Sequence, residues 1–209
     1  MPKGSVELTN ARREEIIAAC KSLYKTMGFK DITLKDIAKE TSFTRTSIYN
    51  YFETKEEIFL AILQGEYELW VKELDGLAAE HETMSREELA KSLAESVDKR
   101  GLLLKIMSMN LYDMETNSRM ERLVEFKRAY GASIKAVNWL LKKFCPEMTE
   151  GERQDFLYTF FPFMYGVYPY TVVTDKQREA MEQADVGFVY RTIYEMTYTC
   201  VKKLLGVKE

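Results

Sequence analysis

Apolar residues recur at spacings of three and four along most of the chain, and strict alternation is rare, so the pattern predicts helices rather than strands. Ile16, Cys20, Leu23, Tyr24 and Met27 line one face of a first helix that starts at Thr9 or Asn10 and stops at Gly28. A short second helix runs from Thr33 to about Glu40, with Leu34, Ile37 and Ala38 inward. A third runs from Thr44 to about Asn50, where Phe43 before the cap and Ile48 four residues after it form a hydrophobic staple. The fourth opens at Thr54, and Ile58, Phe59, Ile62, Leu63, Tyr67, Trp70 and Leu74 carry its stripe towards Gly76. Further helices are predicted at 85–98, 101–114, 116–144, 149–170, 174–184 and 185–205.

The boundaries come from a repeated device. Thr33 with Asp36, Thr54 with Glu57, Ser85 with Glu88, Thr149 with Glu152 and Thr174 with Gln177 each place a hydroxyl three residues before an acid or amide. That pairing satisfies the orphan N–H groups of a helix start. The fold class is all-α. A trio of short helices gives way to longer ones near residue 53, which divides the chain into an N-terminal three-helix domain, 1–53, and a larger helical domain, 54–209.

Composition narrows the chemistry. Cys20, Cys145 and Cys200 are widely spaced and His81 is the lone histidine, so zinc fingers and disulfide scaffolds drop out, and no metal, cofactor or catalytic residue is expected. Residues 1–30 are charged and amphipathic without an apolar h-region, which points to the cytoplasm. Phe156–Val173 holds no charge over 18 positions, the lower limit for a membrane span. Pro162, Gly166 and Pro169 interrupt it and its tyrosines lie along its length rather than at its ends, so a buried helix is the reading and no membrane is expected.

Thr33–Phe52, TLKDIAKETSFTRTSIYNYF, joins two short helices by a three-residue turn, the helix-turn-helix spacing that supports a second helix in the major groove. Thr44, Arg45, Thr46, Ser47, Tyr49 and Asn50 give that helix a polar face, while Ile48 and Phe52 can anchor it. Hydroxyls, amides and a guanidinium are the groups that bond phosphates and base edges. With the following ETKEEIF (Glu53–Phe59), this segment resembles the DNA-binding signature of the tetracycline-repressor (TetR) family, and the likeness covers about residues 10–63. The resemblance implies that Thr44, Arg45, Thr46 and Ser47 face the major groove and that Thr33, Tyr49, Asn50 and Lys55 face phosphates. Ser42 and Thr46 stand where the family usually or often has glycine, and a threonine side chain at 46 can make or block a base contact. Net charge is −3, but residues 1–56 carry ten Lys and Arg against eight Asp and Glu, so the asymmetry has the sign that DNA requires.

The second domain is rich in methionine and aromatic residues, side chains that adapt to an apolar ligand. Leu103, Met107 and Leu111 lie on one helix face, and Phe126 and Tyr130 on a face of the next; together they could wall a pocket. Pro162 frees the carbonyl of Tyr158 inside a helix, which adds both residues to the candidate ligand contacts. The 149–170 and final helices are each apolar on two faces: Phe156, Phe160, Phe163 and Val167 form one stripe of the former and Leu157, Phe161, Met164, Tyr165 and Tyr168 the other, while Val189, Ile193, Met196 and Cys200 form one stripe of the latter and Tyr190, Tyr194, Tyr198 and Val201 the other. A second apolar face would meet a symmetry mate, and the resemblance implies the same homodimer. The expected function is a sequence-specific DNA-binding regulator, a repressor released from a palindromic operator of double-stranded DNA by a small apolar or aromatic effector. The alternatives are a regulator that answers to a protein partner or to no effector, and a small helical enzyme, for which no local Cys–His pair or Gly-rich loop speaks.

Overall fold

The computed structural model describes residues 6–208, except the side chains of Met109 and Asn110. The described helices are α1 (Val6–Leu23), α2 (Leu34–Lys39), α3 (Arg45–Ile48), α4 (Lys55–Glu80), α5 (Arg86–Asp98), α6 (Gly101–Thr116), α7 (Met120–Phe144), α8 (Glu150–Thr171), α9 (Asp175–Gln183) and α10 (Ile193–Leu204). No strand occurs among the described residues, and no helix there is long and apolar enough to cross a membrane.

Contacts divide the chain into two compact units. One runs to Gly65 and takes in Asn110–Arg128; the other comprises Glu66–Met109 and Ala129–Glu209. The division therefore falls inside α4 rather than at residue 53. It returns the α6–α7 turn to the first unit because that turn is bonded to the start of α4, 62 residues away in sequence. In the first unit Ile16, Cys20, Phe29, Ile32, Ile37, Ile48 and Phe52 are buried, and Tyr24 and Phe29 meet Phe59 edge-on at 5.0 and 4.8 Å. In the second, Trp70 is fully buried against Phe160 and Phe161, at 6.5 and 6.0 Å between ring centroids. Its indole N–H donates to Ser96 Oγ at 3.0 Å, so the ring's polar atom is satisfied in the core.

Hydroxyl caps open α2, α5, α8, α9 and α10. The last helix starts at Ile193, not at 185. Asp185 and Gly187 have φ of +50° and +61°, left-handed values that break a helix, and Thr192 with Glu195 then forms a capping box that restarts it. α1 ends at Leu23, and its predicted last residues continue as turns.

The two apolar stripes expected on α8 merge into one core face. Phe156, Phe160, Phe161, Met164 and Val167 are all buried, at spacings of one, three and four, so a single side of the helix takes members of both sets, while Leu157, Phe163, Tyr165 and Tyr168 are half-buried. Tyr158, Pro162, Pro169 and Tyr170 are left exposed on the other side.

Candidate nucleic-acid interface

The turn between α2 and α3 is held by α1. The Ser42 backbone N–H and hydroxyl both donate to the Glu15 carboxylate, the latter at 3.1 Å. Ser42 does not need a left-handed backbone, since Asp185 alone among the described non-glycine residues has positive φ, and serine is therefore accommodated where the family favours glycine. Ile37, Ile48 and Phe52 are completely buried beneath the motif. Their anchoring compensates for the brevity of α3, a single turn that cannot persist alone.

With the apolar side committed inward, Thr44, Arg45, Thr46, Tyr49 and Asn50 are exposed and Ser47 is half-buried. Thr44 and Ser47 hydroxyls lie 3.2 Å apart. The Arg45 guanidinium donates to the Tyr49 hydroxyl at 2.9 Å and sits 5.7 Å from the centre of its ring, so both side chains are ordered side by side. Thr33, also exposed, accepts from the Asp36 N–H and donates to the Asp36 carboxylate at 2.6 Å. Hydrogen bonds from Thr33 and then Lys39 hold the Asp36 carboxyl below its usual range. The structure thus brings seven of the eight expected DNA-facing residues to accessible positions on or beside the helix-turn-helix.

Lys55, half-buried like Ser47, is engaged within the head. Its ammonium turns inward and donates to the carbonyls of Phe29 at 2.6 Å, Ile32 at 3.0 Å and Lys30 at 3.4 Å, over the Phe29 ring. An ammonium has three protons, and the α1–α2 connection supplies three acceptors, so in this structure Lys55 ties the head together.

A contact that no local pattern in the sequence signals lies behind α3. Glu57, 1% exposed, accepts from Arg119 Nε at 2.6 Å, from Arg119 Nη2 at 2.7 Å, and from the backbone N–H groups of Arg119 and Glu53 at 3.1 and 2.9 Å. Burial pushes its carboxyl up, but the donation from Arg119 and the two N–H groups prevails and leaves it below the usual range. Thr54 caps the Glu57 N–H and donates to Asn117 O at 2.9 Å.

The other expected sites are placed unevenly. Leu103, Met107 and Tyr130 belong to the second unit, Leu111 and Phe126 to the first. Around Tyr67, whose spacing places it on the apolar stripe of α4, the second unit gathers Met107 Sδ, 3.3 Å from its hydroxyl, and the Tyr130 ring at 5.6 Å. Burial, followed by the neighbouring Tyr165 and Tyr130, pushes the Tyr67 hydroxyl pKa well up. Tyr158 and Pro162, expected on a ligand, are exposed, whereas Phe156 and Phe160, expected at a dimer contact, are buried in the protomer core. A partner chain cannot reach those two rings because Trp70 and the rest of the core already cover them. Phe163, Tyr190, Tyr194 and Tyr198 are half-buried; Tyr194 and Tyr198 stack at 5.9 Å, and Tyr198 donates to Glu87 of α5. A separate cavity of about 520 Å³ opens between α4 and α5, lined by Leu69, Lys72, Glu73, Leu77, Glu95 and Lys99 among others. Among the described residues no group of three His, Cys, Asp or Glu could hold a metal ion.

Comparison with known proteins agrees with this geometry. The bacterial regulatory proteins, tetR family, match at residues 16–62, and the tetracyclin repressor-like C-terminal domain matches at residues 64–196. The uncharacterized HTH-type transcriptional regulator YfiR of Bacillus subtilis is 35% identical over 83 residues, covering 40% of this chain and 40% of that protein. The matched region thus spans well under two thirds of that curated relative's length. A TetR/AcrR-family transcriptional regulator of Thermobifida fusca has the same fold, with a TM-score of 0.65 and 20% identity over 96% of this chain and 100% of the other. FadR of Thermus thermophilus, a TetR-family repressor solved in complex with lauroyl-CoA, superposes with a TM-score of 0.58 and 20% identity over 95% and 96% of the two chains. With both halves matched and the helix-turn-helix built as described, the chain belongs to the TetR family of bacterial regulatory proteins.

Proposed function

We propose that the protein is a dimeric, DNA-binding transcriptional repressor that leaves a palindromic operator when a small apolar or aromatic molecule binds its second domain. The observation that carries this reading is the exposed row on α3, Thr44, Arg45, Thr46 and Tyr49 with Asn50, set on a fully buried apolar base. Among the described residues, the hydrogen bonds of that face's side chains are the Arg45–Tyr49 and Thr44–Ser47 pairs. Thr44, Arg45, Thr46 and Ser47 read bases; Thr33, Tyr49 and Asn50 bond phosphates. The lauroyl-CoA bound to the Thermus FadR, whose acyl chain is apolar, supports a small-molecule effector with an apolar part for this chain. Met107 and Tyr130, around Tyr67, are the first candidates for its contacts. The exposed side of α8 and the tyrosines of the 190–198 stretch form the dimer contact. The work of a cytoplasmic regulator needs no catalysis.

Selection of duplexes from a random library with the purified full-length protein tests the proposal. Enrichment of one inverted repeat, with affinity that falls steeply as salt rises, is the expected result. Recovery of no enriched sequence overturns it. Mass spectrometry of small molecules that co-purify, followed by their addition to the protein–DNA complex, separates an effector-released repressor from one that answers to a protein or to nothing.

A further inference from the structure

The last turn of the recognition segment is fastened from behind by the connection between α6 and α7. The Tyr51 carbonyl, which the brevity of α3 leaves outside any continuing helix, accepts from Arg122 Nη2 at 3.2 Å and Arg119 Nη2 at 3.5 Å. Two guanidinium groups approach the fully buried Phe52 ring, Arg13 at 5.4 Å and Arg122 at 5.8 Å from its centre. Arg13 and Arg122 share the Glu125 carboxylate, at 3.4 and 2.9 Å. Arg119 in turn is fixed by the fork it makes on Glu57, whose carboxylate also holds the Glu53 N–H just beyond Phe52. Residues 51–57 are therefore bonded on one side to α1 and on the other to residues 117–122.

These bonds are directional and short-ranged. A guanidinium fork loses both of its hydrogen bonds when its partner moves by about an ångström or two, unlike an apolar contact, which slides. Helices α6 and α7 both continue from this turn into the second unit. The turn, itself part of the first unit, is thus bonded to the end of the recognition segment within that unit.

We propose that Glu57, Arg119 and Arg122 are positioning residues for DNA recognition: they set the orientation of α3 through the Tyr51 carbonyl without touching DNA. The proposal rests on the DNA-binding reading above, so its test has one arm that uses DNA and one that does not. In the DNA-free arm, amide hydrogen exchange is followed in the full-length wild type, Arg119→Ala and Arg119→Lys. Arg119→Ala should speed exchange at 44–52 by about tenfold or more while the amides of α5 and α10 keep their protection. Arg119→Lys retains the charge but not the fork, and should fall between the two. In the DNA arm, Arg119→Ala should bind the duplex enriched by the wild type about tenfold more weakly and an unrelated duplex within about twofold of wild type. A general loss of stability would accelerate exchange everywhere, and a direct phosphate contact would weaken both duplexes alike; either result overturns the assignment. Unchanged exchange at 44–52 in folded Arg119→Ala does so as well. Should Arg119→Ala not fold, Arg119→Lys and Arg122→Ala carry the same measurements with the same criteria. If the wild type enriches no duplex, the DNA-binding reading fails while the exchange arm still decides whether the clasp orients α3.

Discussion

Arg45 carries the only guanidinium on α3, and Tyr49 already orders it through a hydrogen bond and its ring face. A cation held in place before binding loses less rotamer entropy when it pairs with a base. Arg45→Ala should therefore narrow the preference for the enriched duplex by about 1–3 kcal/mol, read by titration against single base-pair variants. Equal loss on unrelated duplexes would reassign Arg45 to a phosphate. Lys55→Met should lower thermal stability, because three carbonyls lose their donor, and leave the salt slope of DNA binding close to that of the wild type. Glu57 has a pH signature. Its folded-state pKa lies below the unfolded value, so its stabilisation is present above the ordinary carboxylate range and lost as pH falls through the folded value. A plot of Tm against pH should fall below about pH 5 in the wild type, and Glu57→Gln should lower the plateau and shallow that fall. A variant whose acid limb matches the wild type's would show that other carboxylates, such as Glu73 between Lys99 and Arg100, dominate there.

At the scale of elements, α8 offers the sharpest contrast. Phe160 is fully buried against Trp70 and Phe156, so Phe160→Ala should cost about 3–5 kcal/mol in chemical denaturation. Tyr158→Ala, on the exposed face, should change protomer stability by less than about 0.5 kcal/mol and instead weaken self-association in analytical ultracentrifugation. A dimer constant unaltered by Tyr158→Ala would remove this face from the interface. Thr192→Ala should cost about 1 kcal/mol, since it removes the cap that starts α10. The caps were legible because each is a bond between residues three apart. The start of α10 was legible too, in Gly187 and in the Thr192–Glu195 spacing, yet the apolar periodicity of 185–205 masked it. The division of α8 between core and surface was not legible, because aromatic residues occupy nearly every direction around that helix and periodicity cannot choose among them.

At the scale of the whole molecule, the first unit is discontinuous in sequence. A fragment that ends at Leu63 lacks Arg119, Arg122 and Glu125, leaving the Glu57 carboxylate buried without its cation. That fragment should show little cooperative unfolding by circular dichroism, and a well-folded one would show that the α6–α7 turn is dispensable to the head. Light scattering of the full chain should give a dimer.

The sequence by itself determined the helical class, most helix starts, the helix-turn-helix and the identity of its exposed polar row. Each of these depends on neighbours within about one turn of helix or on a short motif, so the information is local. Only the tertiary structure decided where Lys55 directs its charge, which aromatic residues of α8 are core, and that residues 117–122 fasten the recognition helix. Those outcomes depend on pairs such as Glu57 and Arg119, whose separation of 62 residues leaves no periodic trace. A buried carboxylate must find its donors wherever the fold brings them.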